Sequence, residues 1–199
     1  ALDAIHKPDI DKMNEPAFLA NFFERLRGLA KAHPRQVRNF DRNSGARAYQ
    51  AVVIGASTGG PLALKELLSR IPPDFPLGIA LVQHIEGRFD KSFADWLNTQ
   101  TALSVGLANG GETFSPGTVW VAPADRHLIV RNGVLGLDDG PKVVNQKPAV
   151  DRLFETAARW FGKDLISVIL TGMGTDGAEG SLKVKENGGH TVLAKAYLA

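Results

Sequence analysis

Residues 51–60, AVVIGASTGG, lead directly into Pro61 and the apolar-periodic run LALKELL. Val52, Val53 and Ile54 are β-branched and uncharged, which predicts a strand buried on both faces. Residues 55–60 are too rich in glycine to continue it, and Pro61 suits the first turn of a helix, where a missing N–H costs little. Ser57 therefore falls on a tight strand-to-helix turn beside a helix N-terminus. Gly55-Ala56-Ser57-Thr58-Gly59 fits the pattern G-x-S-x-G, in which small neighbours let a serine hydroxyl stand clear of the backbone. The free N–H groups and the helix dipole favour the negative charge of an acyl-transfer oxyanion there. A phosphate-cradling turn also places glycines before a helix, although no Lys-Ser/Thr pair comes after these glycines as a P-loop requires. The turn alone leaves both a nucleophile and an anion nest open.

The composition narrows the class. A chain of 199 residues can bury one full core, or one core with an appended segment. With 44% hydrophobic and 22% charged residues and no low-complexity tract, a soluble globular protein is expected. A net charge of +2 gives no drive toward nucleic acid or a membrane surface. The absence of cysteine excludes disulfides, a thiol nucleophile and thiolate metal sites. No apolar run reaches the roughly 18 residues of a membrane span, and no signal-peptide pattern opens the chain. A cytoplasmic location without membrane insertion is expected. The first residue is Ala rather than Met, which suggests a fragment.

Residues 1–49 differ in character from the rest of the chain. Residues 1–8 read as short and extended. Asn14 before Glu15-Pro16 offers a cap and a first turn, and Phe18, Leu19, Phe22, Phe23, Leu26 and Leu29 recur at helical spacing, so residues 17–32 are predicted to form an amphipathic helix ended by His33-Pro34. Residues 35–48, with Arg35, Arg38, Arg42 and Arg47, read as a polar linker. From Tyr49 onward strands alternate with helices. Strands are predicted at 52–54, 77–83, 105–108, 118–122, 128–130, 165–170 and 191–194, and helices after Pro61 and at 89–98, 151–161 and 178–187. This alternation predicts an α/β fold, a doubly wound, mainly parallel sheet flanked by helices with a few antiparallel edge strands. Its ligand site belongs beyond the carboxyl ends of the strands.

That rule brings together residues far apart in sequence. Ser57, His84 and Asp176 each sit just past a predicted strand end. A neutral serine needs an adjacent base, a histidine can take and return its proton, and a carboxylate can fix the histidine tautomer and stabilise the imidazolium. Ser57 would attack, His84 would be the base, and Asp176 would orient it. Each has a plain structural alternative: His84 as a bonded histidine at a strand edge, Asp176-Gly177 as a turn in which Asp caps the next helix. Two other histidines compete. His127 lies near a strand start and is a candidate for lining the cleft. His190 gives the Ser, Asp, His order of α/β-hydrolases, but it enters a strand and is expected at the opposite edge of the sheet. No His pair or carboxylate cluster has metal-ligand spacing.

These residues resemble the catalytic domain of the chemotaxis protein-glutamate methylesterases, the CheB family. The resemblance runs from Val52 to about Lys195. It rests on Ile54-Gly55-Ala56-Ser57-Thr58-Gly59-Gly60, Val82-Gln83-His84, Val121-Ala122-Pro123 with His127, and Leu170-Thr171-Gly172-Met173-Gly174-Thr175-Asp176-Gly177-Ala178. It implies a doubly wound fold, a triad at Ser57, His84 and Asp176, and help from Thr58 and the backbone at Met173 in orienting groups or stabilising the oxyanion. The implied reaction is hydrolysis of glutamate γ-methyl esters on methyl-accepting chemoreceptors with release of methanol. Glutamine deamidation is the second implied activity, and neither a cofactor nor a metal is implied. Residues 1–34 are similar to the last strand and helix of a receiver domain, which in the family restrains the esterase until phosphorylated by its histidine kinase. This makes 35–48 a linker and 49–199 the catalytic domain. Two departures stand out. Ala149 occupies a position where the family commonly has Ser, in a loop expected to shape the cleft, and the chain stops at Ala199 where the family continues, so a truncated domain is expected. The alternative from another class is a small-ligand or nucleotide-binding α/β domain that uses the 55–60 turn as an anion site.

Overall fold

The computed structural model describes residues 3–5, 49–87, 89–172 and 174–194. Its central element is strand β2 (Ala51–Ala56), all six residues of which are buried. The pleat sends Val52, Ile54 and Ala56 into one core and Ala51 and Val53 into another, as a strand buried on both faces requires. Helix α1 (Gly60–Leu68) comes next, with Pro61 in its first turn. Then come β3 (Gly78–Gln83), α2 (Asp90–Thr99), β4 (Ser104–Leu107), β5 (Thr118–Val121), the hairpin β6 (His127–Arg131) and β7 (Val134–Asp138), α3 (Val150–Phe161), β8 (Leu165–Ile169), α4 (Ala178–Glu186) and β9 (His190–Ala194).

The main sheet has the order β1-β9-β8-β2-β3-β5-β4, where β1 is Asp3–Ile5, and every pair in it is parallel. Helices α1 and α2 contribute Leu64, Leu67, Leu68, Phe93 and Leu97 to one core, and α3 contributes Leu153, Phe154 and Ala157 to the other. Helices thus cover both faces, as the right-handed crossover of parallel strands demands. From β2 the chain winds toward β3, and from β8 it winds the opposite way toward β9. The switch point therefore lies between the carboxyl ends of β2 and β8, where a doubly wound sheet opens a crevice. At that point α3 begins close above β2: a Cβ on Gly55 would lie 2.4 Å from Cγ1 of Val150.

The antiparallel strands form a separate two-stranded ribbon, β6 with β7. It turns at Asn132-Gly133, both with positive φ (53° and 79°), the conformation of a two-residue hairpin turn matched to strand twist. Strand β7 is an addition to the sequence reading, which stops at β6. Asp3–Ile5 lies parallel against β9 at the edge of the sheet. The predicted helix at 17–32 and linker at 35–48 lie outside the described residues.

Candidate active site

Ser57 is the first residue past β2, and its backbone is tied on both sides. Its N–H donates to the carbonyl of Thr171, just beyond β8, at 2.7 Å. Its own carbonyl accepts from the N–H of Gly60 at 2.7 Å and from Nε2 of Gln83 at 3.0 Å. Gly59 takes the left-handed conformation at φ 76° and turns the chain into α1. His84 comes directly after β3, and its N–H extends the β2–β3 ladder by donating to the carbonyl of Ala56 at 3.0 Å. Asp176 lies in the turn between β8 and α4. Three strand ends, neighbours in the sheet, therefore deliver the three side chains to one pocket, lined by Ser57, His84 and Asp176 together with Val144, Gln146 and Val150.

The electrostatics of the pair are well defined. Nε2 of His84 lies 2.7 Å from Oδ2 of Asp176, and the two side chains are 13% and 5% exposed. Asp176 also accepts from the first N–H groups of α3: Val150 N–H to Oδ2 at 2.8 Å and Asp151 N–H to Oδ1 at 2.9 Å. Burial pushes the Asp176 carboxyl upward, but the hydrogen bond from His84 and those from Asp151 and Val150 outweigh it and hold it below the ordinary carboxylate range. An ionised Asp176 is acceptor-only, so neutral His84 must carry its proton on Nε2. Nδ1 is left as the basic nitrogen. It is buried and has no hydrogen-bond partner among the described residues.

A second carboxylate completes the frame. Asp151, in the first turn of α3 and 6% exposed, accepts from the N–H groups of Gly177 at 2.9 Å and Gly180 at 2.6 Å. Each carboxylate therefore caps the other's helix: Asp176, preceding α4, caps α3, while Asp151, on α3, caps the start of α4. The reading of Asp176 as the cap of its own succeeding helix is corrected, since the N-cap of α4 is Gly177. Burial raises the Asp151 carboxyl, with the charge of Asp176 adding to it, against the lowering by the N–H groups of Gly180 and Gly177.

The competing histidines separate cleanly. His190 pairs in register with Ile166, near the amino end of β8, about 10 Å from that strand's carboxyl end at ~3.3 Å per residue. It lies across the sheet from Ser57, as expected. His127 does not line the cleft. It is fully buried, Nε2 donates to the carbonyl of Pro141 at 2.9 Å, and Nδ1 accepts from the N–H of Ala149 at 3.1 Å. Nδ1 thereby holds the residue that precedes α3, and so the helix N-terminus on which Asp176 rests, while Nε2 ties the ring to the loop at Pro141. Ala149 is itself fully buried at that N-cap, and the loop before it does reach the pocket through Val144 and Gln146. Thr58 is exposed, and its carbonyl accepts from Oγ1 of Thr171 at 3.1 Å. Met173 lies outside the described residues. Sequence reasoning missed the parts played by Thr171, Asp151 and Gln83. The only signal for the last is a polar residue ending the apolar strand GIALVQ.

A serine on a strand-to-helix turn, beside a histidine held by a buried carboxylate over a doubly wound sheet, is the arrangement of a serine hydrolase. Within that class the relationship is specific. The family model for CheB methylesterase matches residues 52–197, and the chain belongs to the CheB methylesterase family. It is 43% identical over 199 residues to protein-glutamate methylesterase/protein-glutamine glutaminase 2 of Anaeromyxobacter dehalogenans, a match that covers 96% of this chain and 58% of that protein. It is 40% identical over 200 residues to the protein-glutamate methylesterase FrzG of Myxococcus xanthus, covering 96% of this chain and 59% of that protein. The chain thus spans a little over half the length of these relatives. The crystal structure of the Thermotoga maritima CheB methylesterase catalytic domain is 42% identical with a TM-score of 0.69, over 72% of this chain and 78% of that one.

Proposed function

We propose that this chain hydrolyses glutamate γ-methyl esters on bacterial chemoreceptors, releasing methanol, and that it deamidates glutamine side chains by the same route. Ser57 Oγ attacks the ester carbonyl while Nδ1 of His84 takes its proton, and Asp176 stabilises the imidazolium through Nε2–H. The tetrahedral oxyanion is stabilised by N–H donors, with Thr58, in the turn before α1, and the backbone at Met173, outside the described residues, as the contributing positions. Collapse breaks the carbonyl–methoxy bond, and His84 returns the proton to the departing methanol. Water, activated by the same nitrogen, then releases the glutamate and restores Ser57. For a glutamine side chain the departing group is ammonia.

The observation that carries this reading is the 2.7 Å contact between Nε2 of His84 and Asp176, which leaves Nδ1 as the base in a pocket shared with Ser57. A 55–60 turn serving only as an anion nest would leave that buried pair without a purpose. In this reading residues 1–34 are the end of a receiver domain and 49–199 the catalytic unit, acting in the cytoplasm; the family match over residues 52–197 supports the extent of the catalytic unit. No helix among the described residues is long and apolar enough to cross a membrane. The test is methanol release from a methylated receptor preparation. Wild type is expected to release it and Ser57→Ala to release none above background. Release by Ser57→Ala at the wild-type rate would refute the assignment.

A further inference from the structure

Gln83 is an expensive residue for its place. It ends a strand that is buried throughout, is itself 3% exposed, and its Oε1 is buried with no partner among the described residues. A buried acceptor left unpaired is unfavourable, and an apolar side chain of the same length would avoid it. The amide nitrogen shows what the residue provides in return. Nε2 donates to the carbonyl of Ser57 at 3.0 Å and to the carbonyl of His84 at 2.9 Å, using both of its hydrogens. The amide orientation is set by these contacts, because turning it over would place Oε1 against two carbonyl oxygens.

From this geometry we infer that Gln83 is a positioning residue, a strut that sets the distance between the nucleophile's turn and the base. Resting on the proposed hydrolase reading, the role is to hold the Ser57 and His84 backbones in one rigid unit, so that only the side chains need turn for Oγ to reach Nδ1. The neighbouring sequence agrees with it. A Cβ on Gly60 would lie 1.8 Å from Oε1 of Gln83 and 2.8 Å from its Cδ, so the glycine at the start of α1 is the space into which the strut is packed. The carbonyl of Ser57 keeps a second donor, Gly60 N–H, so the turn retains a partner when Gln83 is changed. Alignment should suffer more than folding.

The experiment measures kcat and KM for methanol release, with thermal melting, for wild type, Gln83→Met, Gly60→Ala, Gln83→Ala and the double variant Gln83→Ala/Gly60→Ala. Gln83→Met keeps length and removes both donors. It is expected to lower kcat by about 10- to 100-fold, the scale of a misplaced reacting group, with KM within about twofold and a melting midpoint close to wild type. Gly60→Ala, which displaces the strut while every polar group remains, should lower kcat similarly and covers the case in which Gln83→Met does not fold. In the Gln83→Ala background, Gly60→Ala should cost little more, because the side chain it displaces is gone. A folded Gln83→Met enzyme with wild-type kcat, or fully additive losses in the double variant, would overturn the strut while leaving the hydrolase reading intact. No methanol release from wild type would overturn that reading and this role with it.

Discussion

Replacing Asp176 by Asn removes one charge and one acceptor from a side chain that receives three donors. With the amide oxygen turned toward Val150 N–H and His84, the new NH₂ group faces the N–H of Asp151, which now donates to Oδ1 at 2.9 Å. With the oxygen turned toward Asp151, the NH₂ group faces Val150 N–H, now at 2.8 Å from Oδ2, and must donate to Nε2 of His84. The His84 proton then moves to Nδ1, the nitrogen that has to accept from Ser57. Either orientation leaves a buried N–H unpaired, at about 1–3 kcal/mol. For a chain of this size that corresponds to a melting midpoint lower by about 2–12 °C. In the second orientation the loss in kcat should be on the order of 10⁴, the scale of a triad histidine held in the wrong tautomer; in the first, the loss is that of an imidazolium with no carboxylate charge to stabilise it. Because the Asp176 carboxyl is lowered in the folded protein, its stabilising effect is present above the unfolded carboxylate value of about 4 and is lost as pH falls through the folded value. The gap in melting midpoint between wild type and Asp176→Asn should therefore be full at pH 7 and close progressively below about pH 4. Methanol-release kinetics and melts monitored by circular dichroism at pH 3, 5 and 7 give both quantities. A folded variant with kcat within tenfold of wild type would refute the reasoning.

Asp151→Asn should behave in the opposite sense for stability. A carboxyl raised in the folded state contributes stability that is complete below its unfolded value and lost as pH rises through the folded one. The amide oxygen still accepts from Gly177 and Gly180, so the variant should melt higher than wild type at pH 7 and level with it near pH 4, as paired thermal melts would show. Val144 is a β-branched residue at φ 47°, next to Asn145 at φ 62°, at a turn tip that also lines the pocket. Val144→Asn should relieve about 1 kcal/mol of backbone strain in urea denaturation while raising KM, since an apolar group at the pocket mouth is lost. His84→Ala should lower kcat by several orders of magnitude and His190→Ala should change it little. A large loss at His190 with little at His84 would reverse the choice of base.

The parts of the fold that obey one periodicity were legible in the sequence. The β-branched run before the glycines and the proline after them defined β2, its turn and α1, and the strand–helix alternation beyond them defined the winding. Strand β7 was not read, although Asn132-Gly133 carries the two-residue turn signal that pairs it with β6. Its residues, Val134–Asp138, are short and interrupted by Gly136, so alternation alone is weak there. At the candidate site, the placement of Ser57, His84 and Asp176 past neighbouring strand ends was legible, and the three line one pocket. The groups that hold them were not. The mutual capping of α3 and α4 by Asp176 and Asp151 depends on how two helix N-termini meet in space, and an aspartate in a first turn looks the same whichever helix it caps. His127 carried a catalytic residue type into a structural position, and only its burial and two backbone partners tell the difference.

The central claim, that Ser57 is the nucleophile activated by His84, is tested most directly by mapping the site of a serine-directed fluorophosphonate. Cleavage after Arg47 and Lys65 releases residues 48–65, a peptide in which Ser57 is the only serine. Mass spectrometry of the labelled, digested protein should find a single adduct on Ser57, formed at a greatly reduced rate in the His84→Ala variant. An adduct at another residue, or labelling of Ser57 that proceeds equally fast without His84, would contradict the account.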